Sequence, residues 1–147
     1  MRLTIRPALI LAGLLAITTA AACSNPAASS APSLGASCDQ FAATPAITQT
    51  THLAVGATLT IDLCSNATTG YGWEPPTVAD PAVVTVVSSA YEAPAAASPP
   101  VVGAAGRQVV TIKGLAAGTT TVAMTYGQPW AGGTKGAWTY QLTVTVP

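Results

Sequence analysis

From about residue 47 to the C-terminus, apolar and polar positions alternate with a period of two, Thr and Val abound, and turn residues recur at short intervals. A period of two sends successive side chains to opposite faces of a strand, so this pattern predicts an all-β sandwich or barrel. Ile47 to Val55 is the first expected strand. Leu59, Ile61 and Leu63 alternate with Thr58, Thr60 and Asp62, giving a second with one buried face. The polar run Ser65 to Gly70 leads to a short aromatic strand, Tyr71 to Glu74, which Pro75-Pro76 ends because proline cannot donate to a sheet ladder. Val83 to Tyr91 is a continuous apolar and Ser/Thr run, the pattern of a strand covered on both faces or nearly so. Arg107 to Lys113 and Thr119 to Tyr126 follow, the latter with Val122, Met124 and Tyr126 on one face. The last strand is the most regular, with Trp138, Tyr140, Leu142, Val144 and Val146 alternating with Thr139, Gln141, Thr143 and Thr145. Beyond the N-terminal stretch no helical period of useful length occurs.

About seven strands in roughly 100 residues point to an immunoglobulin-like sandwich. In antiparallel up-and-down or Greek-key order each strand reverses direction, so alternate connections emerge at the same end. Three glycine-marked connections should therefore share one end: Asn66–Gly70, Gly103–Gly106 and Gly127–Gly136. The turns at Val55–Ala57 and Gly114–Gly118, at the other end, are short and chemically plain. One decorated end and one bland end are expected, and loops on a rigid sheet are where binding function usually resides.

The N-terminus has a different pattern. Arg2 and Arg6 precede an apolar stretch from Ala8 to Ala22, which is too short to span a bilayer and has the charged, apolar and small-residue parts of a secretory signal. Its exit, Ala20-Ala21-Ala22-Cys23, resembles a bacterial lipoprotein signal, in which the cysteine becomes the lipidated N-terminus. That resemblance is incomplete, since Ala20 stands where Leu is usual, and an ordinary secretory signal cut nearby is the alternative. Residues 24–37 are almost all Ala, Ser, Pro, Gly and Asn, a composition that cannot bury a core and reads as a flexible tether. The expected organisation is a signal peptide over 1–22, a lipidated N-terminus and tether over 23–40, and one domain over 41–147. Such a protein is exported and held by a lipid on Cys23 at the outer face of a bacterial cell membrane, or secreted if not lipidated.

Three cysteines in an exported chain require an explanation. With Cys23 lipidated, Cys38 and Cys64 remain as a pair in an oxidising compartment. A bridge between them closes a loop of 26 residues, worth roughly 3 to 4 kcal/mol by chain entropy. Two buried free thiols are the alternative.

Charge and chemistry narrow the function. After the signal, Asp39, Asp62, Glu74, Asp80 and Glu92 face Arg107, Lys113 and Lys135, five acids against three cations, for a net charge near −2. Nucleic-acid binding thus has no electrostatic footing. His52 is the one histidine, so no histidine metal cluster can form, and a Ser-His-Asp arrangement would depend on it alone. The acids are scattered over different elements, without paired-carboxylate spacing, and no glycine motif for phosphate precedes a helix. No cofactor is implied, and binding is favoured over catalysis.

The candidate binding residues lie on the decorated end. Asn66-Ala67-Thr68-Thr69-Gly70-Tyr71 offers backbone amides, two hydroxyls and an aromatic edge; Gly103-Ala104-Ala105-Gly106 allows close backbone approach; Gln128-Pro129-Trp130 places a large ring on a stiffened backbone. In this order the three motifs resemble those of the chagasin family, proteinaceous inhibitors of papain-like cysteine peptidases, over residues 45–147. The resemblance implies a sandwich of seven or eight antiparallel strands and a monomeric, non-enzymatic inhibitor. It also implies a non-covalent wedge: Thr68 and Thr69 beside the catalytic cysteine, Gly70 permitting the turn, and Trp130 against the cleft rim. Ala67 stands where the family has proline, which loosens the loop by about 0.4 to 1 kcal/mol. Gln128 stands where it has arginine, giving up a charged, fork-shaped donor. The alternative function is an envelope-anchored adhesion or binding module that uses the same loop end for another partner, since a sandwich does not fix function.

Overall fold

The computed structural model describes residues 33–95, 101 and 103–147. The expected signal peptide, Cys23 and the first part of the tether lie outside the described residues. The elements are β1 (Ser33–Ala36), α1 (Cys38–Ala43), β2 (Ala46–His52), β3 (Thr58–Ser65), β4 (Gly72–Trp73), β5 (Thr77–Val78), β6 (Val84–Glu92), β7 (Gly106–Gly114), β8 (Gly118–Gly127) and β9 (Trp138–Val146). One sheet has the order β1-β3-β7-β6; the other runs β2-β9-β8-β4, with β5 also pairing to β8.

The core lies between these sheets, where the period of two placed it. Leu59, Ile61 and Leu63 of β3 and Val110 and Ile112 of β7 are fully buried. They share one cluster with Val122 and Met124 of β8 and with Tyr140, Leu142, Val144 and Val146 of β9. Burying a Val, Leu or Ile side chain stabilises by about 1.5 to 3 kcal/mol, which makes this alternation the main source of the fold. Tyr140 brings a hydroxyl into the interior and donates it to Gln49 Oε1 at 2.6 Å, and Gln49 Nε2 in turn donates to Gly35 O at 3.1 Å. Burial pushes the Tyr140 phenol well above its ordinary value.

Four expectations are corrected. Strand pairing already includes residues ahead of 41, where a tether was expected: β1 lies parallel on β3, with Leu34 opposite Ile61. Gly35 makes this possible, because a Cβ there would lie 1.8 Å from Asp62 O. Second, the segment from Cys38 to Ala43 is helical, closed by a capping box in which Ser37 and Gln40 each satisfy the other's backbone N–H. Six residues are too few to show a helical period, yet this turn buries Phe41 completely.

Third, the described residues form nine strands that are not all antiparallel, since β1–β3 and β2–β9 pair in parallel. Fourth, β6 is not covered on both faces. It is the edge of its sheet, residues Val87 to Glu92 are exposed, and the register slips between Val86 and Ser88. Its apolar run reflects β-propensity at an edge, where a bulge blunts the open ladder.

Cys38 and Cys64 form a disulfide with Cα atoms 5.1 Å apart, an ordinary separation for a bridge. It ties α1 to the end of β3, two residues before Asn66.

Candidate functional site: a three-loop end

The β3–β4, β6–β7 and β8–β9 connections do emerge together, and named contacts join them. Asn66 is the hub. Its Nδ2 donates to Gly103 O at 3.2 Å, which fastens the first loop to the second. Its Oδ1 accepts from the Thr68 hydroxyl at 2.6 Å, and its carbonyl accepts from the Thr69 hydroxyl at 2.7 Å and from Thr69 N at 3.2 Å. Ala67–Thr69 is thereby wound into a 3₁₀ turn, closed by Gly70 N donating to Ala67 O at 3.1 Å. Asn, Thr and Thr do this because short polar side chains compete well for nearby backbone groups. The two hydroxyls, expected to point outward as donors, are turned back into the loop.

Gly70 closes the turn with φ +76°, the left-handed region that a Cβ disfavours. The third loop meets the first at this residue: a Cβ on Gly70 would lie 2.7 Å from Trp130 Cη2, so the indole lies over the bare glycine. Trp130 keeps 49% of its surface exposed. Ala67, Thr68 and Thr69 are exposed beside it. A groove of about 330 Å³ runs between the first and third loops, with Gly70, Tyr71, Glu74 and Pro129 in its lining.

The third loop is held by its own bonds. Gln128 N donates to Thr134 O at 2.7 Å, and Gln128 Oε1 accepts from Thr134 N at 3.0 Å. Lys135 Nζ donates to Gln128 O at 2.5 Å. Gln128 is therefore a brace of its loop, and Lys135 is the cation there. In the second loop, Gly103 receives Asn66 and Gly106 opens β7 opposite Ser65. A Cβ on Gly106 would meet Glu92 O at 2.3 Å and the Tyr91 hydroxyl at 2.7 Å, so the close β6–β7 pairing requires this glycine. Next to it, Arg107 bonds Glu92 through Nε and Nη2 at 2.9 and 2.7 Å and Asp62 through Nη1 at 2.8 Å. The Glu92 hydrogen bond first, then the charges of Asp62 and Glu92, raise the guanidinium above its ordinary value.

Beneath the loops lies an aromatic stack that strand periodicity alone did not reveal. Phe41 stacks on Trp138 at 4.9 Å, Trp138 on Tyr126 at 4.5 Å, and Tyr126 on Tyr71 at 5.6 Å. Trp73 leans on both Phe41 and Tyr126 and donates its Nε1–H to Cys64 O at 2.9 Å. The Tyr126 hydroxyl accepts from Asn66 N at 2.8 Å. Tyr71, expected at the contact surface, is half-buried on this stack. The available signal was the position of Tyr126 and Trp138, each at the loop-side end of an inward-facing stripe.

His52 is remote from all of this. It is exposed, paired with Thr145 near the C-terminal end of β9, whereas the loops adjoin the start of that strand. Among the described residues no three His, Cys, Asp or Glu side chains gather as a metal site.

The fold is thus a β-sandwich with three connections at one end, the first braced against both the second and the third. Residues 52–144 match the chagasin family peptidase inhibitor I42, and the chain belongs to that family. Solved structures share the fold. The cysteine protease inhibitor EhICP2 from Entamoeba histolytica superposes with a TM-score of 0.58 at 23% identity, covering 69% of this chain and 94% of that one. PbICP-C, solved in complex with falcipain-2, gives 0.59 at 25% identity over 79% and 99% of the two chains. Amebosin gives 0.50 at 25% identity over 69% and 96%. No curated protein sequence matches.

Proposed function

We propose that this domain inhibits papain-like cysteine peptidases non-covalently, by seating its three-loop end in the active-site cleft. The observation that carries the reading is the joining of the three family motifs through Asn66 to Gly103 and Gly70 to Trp130. PbICP-C, whose structure was solved with falcipain-2, supports the class of partner.

The family's roles for these loops are compatible with the geometry. Thr68 and Thr69, exposed at the tip, stand beside the catalytic cysteine. Their hydroxyl protons are engaged by Asn66, so they offer methyl groups, oxygen lone pairs and backbone. The compact 3₁₀ turn ending in left-handed Gly70 makes the loop a poor substrate. A peptidase cleaves an extended segment whose carbonyl it can align for attack, and this turn presents none without breaking its own bonds. Trp130 packs against one wall of the cleft, and the Gly103 side of the second loop faces the other. The internal bonds fix the loops before docking, so little ordering entropy remains to be lost on binding.

Titration of papain with the domain lacking residues 1–32 tests the reading: activity should fall in a saturable, reversible way. No inhibition at high micromolar concentration would reject it. A companion proposal is that Cys23 is lipidated and holds a monomeric inhibitor at the outer face of the cell membrane. Its support is the Ala20-Ala21-Ala22-Cys23 exit. Cys23→Ser should then move the full-length protein from the membrane to the medium; unchanged partitioning would reject the anchor.

A further inference from the structure

We propose that Tyr126 is a positioning residue for peptidase binding: its buried hydroxyl sets the geometry of the three-loop end without touching the peptidase. The proposal rests on the inhibitor reading above.

Tyr126 is 3% exposed and stands at the point where the sandwich gives way to the loops. Its ring is fixed on several sides, by Trp138 at 4.5 Å, Trp73 at 5.1 Å and Tyr71 at 5.6 Å. Its place along β8 is fixed by pairing with Trp73 of β4 and Trp138 of β9. The oxygen therefore has little freedom, and it accepts from Asn66 N at 2.8 Å. Asn66 belongs to the connection leaving β3, in the opposite sheet, so this one bond crosses from one layer of the sandwich to the other.

What Asn66 holds makes the bond consequential. Its backbone is pinned by Tyr126, its side chain by Gly103 O and the Thr68 hydroxyl, and its carbonyl by Thr69. The chain leaves the strand that supplies Tyr126 at Gly127 and passes through Gln128 to Trp130, whose ring covers Gly70. One residue thus anchors the first loop directly, reaches the second through Asn66, and sets where the third departs. Losing the hydroxyl leaves the half-buried Asn66 N–H without its acceptor and lets the hub shift. The loops then populate arrangements that do not fit a cleft, and apparent affinity falls by the fraction that still fits.

Tyr126→Phe tests this, because it keeps the aromatic stack and removes only the acceptor. Association of the variant with papain should slow roughly tenfold while dissociation changes little. Amide hydrogen exchange at Asn66 should accelerate, and the melting temperature should stay close to that of the wild type. Tyr126→Leu, which also removes the stack, should instead lower the melting temperature. If Tyr126 acts through Asn66, the Tyr126→Phe effect should shrink in an Asn66→Ala background, since the two share one network. Wild-type association with an unchanged Asn66 exchange rate would overturn the proposal, as would full additivity of the two substitutions. Failure of the wild-type domain to inhibit papain would reject the inhibitor reading and the peptidase clause with it. The exchange measurement would still decide whether Tyr126 holds the loop.

Discussion

The two ends of this sandwich are closed by different means. At the far end, Gly56 N donates to Gly114 O, Gly114 N to Ala57 O and Leu115 N to Val83 O, all backbone to backbone, with Thr120 and Asp80 adding local side-chain bonds. At the loop end, backbone bonds within the loops are joined by many ties through the side chains of Asn66, Thr68, Thr69, Gln128, Lys135 and Tyr126. Backbone closure accepts almost any side chain that suits the turn, so it specifies little. Closure by side chains requires particular residues, and in return it fixes the shape of an exposed surface. That difference, more than the presence of glycines, marks the loop end as the functional one.

The largest expected effect tests whether the loop end depends on its covalent tie. Replacing Cys38 and Cys64 together by Ser should lower unfolding free energy by roughly 3 to 4 kcal/mol, read from the denaturant midpoint. Hydrogen exchange should rise more around Asn66 than at the Gly56–Gly114 turn; an even rise would mean that the bridge stabilises the domain without favouring either end. Next, Thr68→Arg with Thr69→Glu should weaken papain inhibition by about a hundredfold or more with the fold intact, while Val55→Glu and Leu115→Glu at the far end change it by less than about twofold. Equal sensitivity of the two ends would dissolve the contrast. Trp130→Ala should weaken inhibition by about thirtyfold, as expected for truncation of an anchor ring. Retained potency would move the anchor elsewhere on the loop end.

The smallest effect is a gain. Ala67 opens the 3₁₀ turn, and proline is well accepted at the first position of a helical turn. Ala67→Pro should add about 0.4 to 1 kcal/mol of stability by restricting the unfolded chain. A loss measured by thermal unfolding would show that Asn66 needs the freedom that a following proline denies it.

Much of this architecture is legible in the residues. The stripes Leu59-Ile61-Leu63, Val122-Met124-Tyr126 and Trp138 to Val146 lie on the core face as their alternation requires. Reversal of successive strands also placed the three glycine-marked connections together, although two of the strand pairings are parallel. The inward hydroxyls of Thr68 and Thr69 were not legible, because a polar loop looks the same whether its donors face solvent or a neighbour. Nor was the exposure of β6: Val83 to Tyr91 has the same apolar composition at a sheet edge as in a sheet centre, and only strand order tells them apart.

The sequence by itself determined the class of fold and which connections carry the family's motifs. These depend on local periodicity and short spacings, which a chain displays without folding. Tertiary structure decided the rest: that Ser33–Ala36 joins the sheet, that Phe41 belongs to the aromatic stack, and that the Tyr126 hydroxyl meets Asn66 60 residues away along the chain. Such contacts join residues far apart in sequence through an alignment of two sheets, and no local pattern encodes that alignment. The Asn66 loop is a turn by composition, and it becomes a fixed recognition edge only when the opposite sheet supplies the tyrosine that holds it.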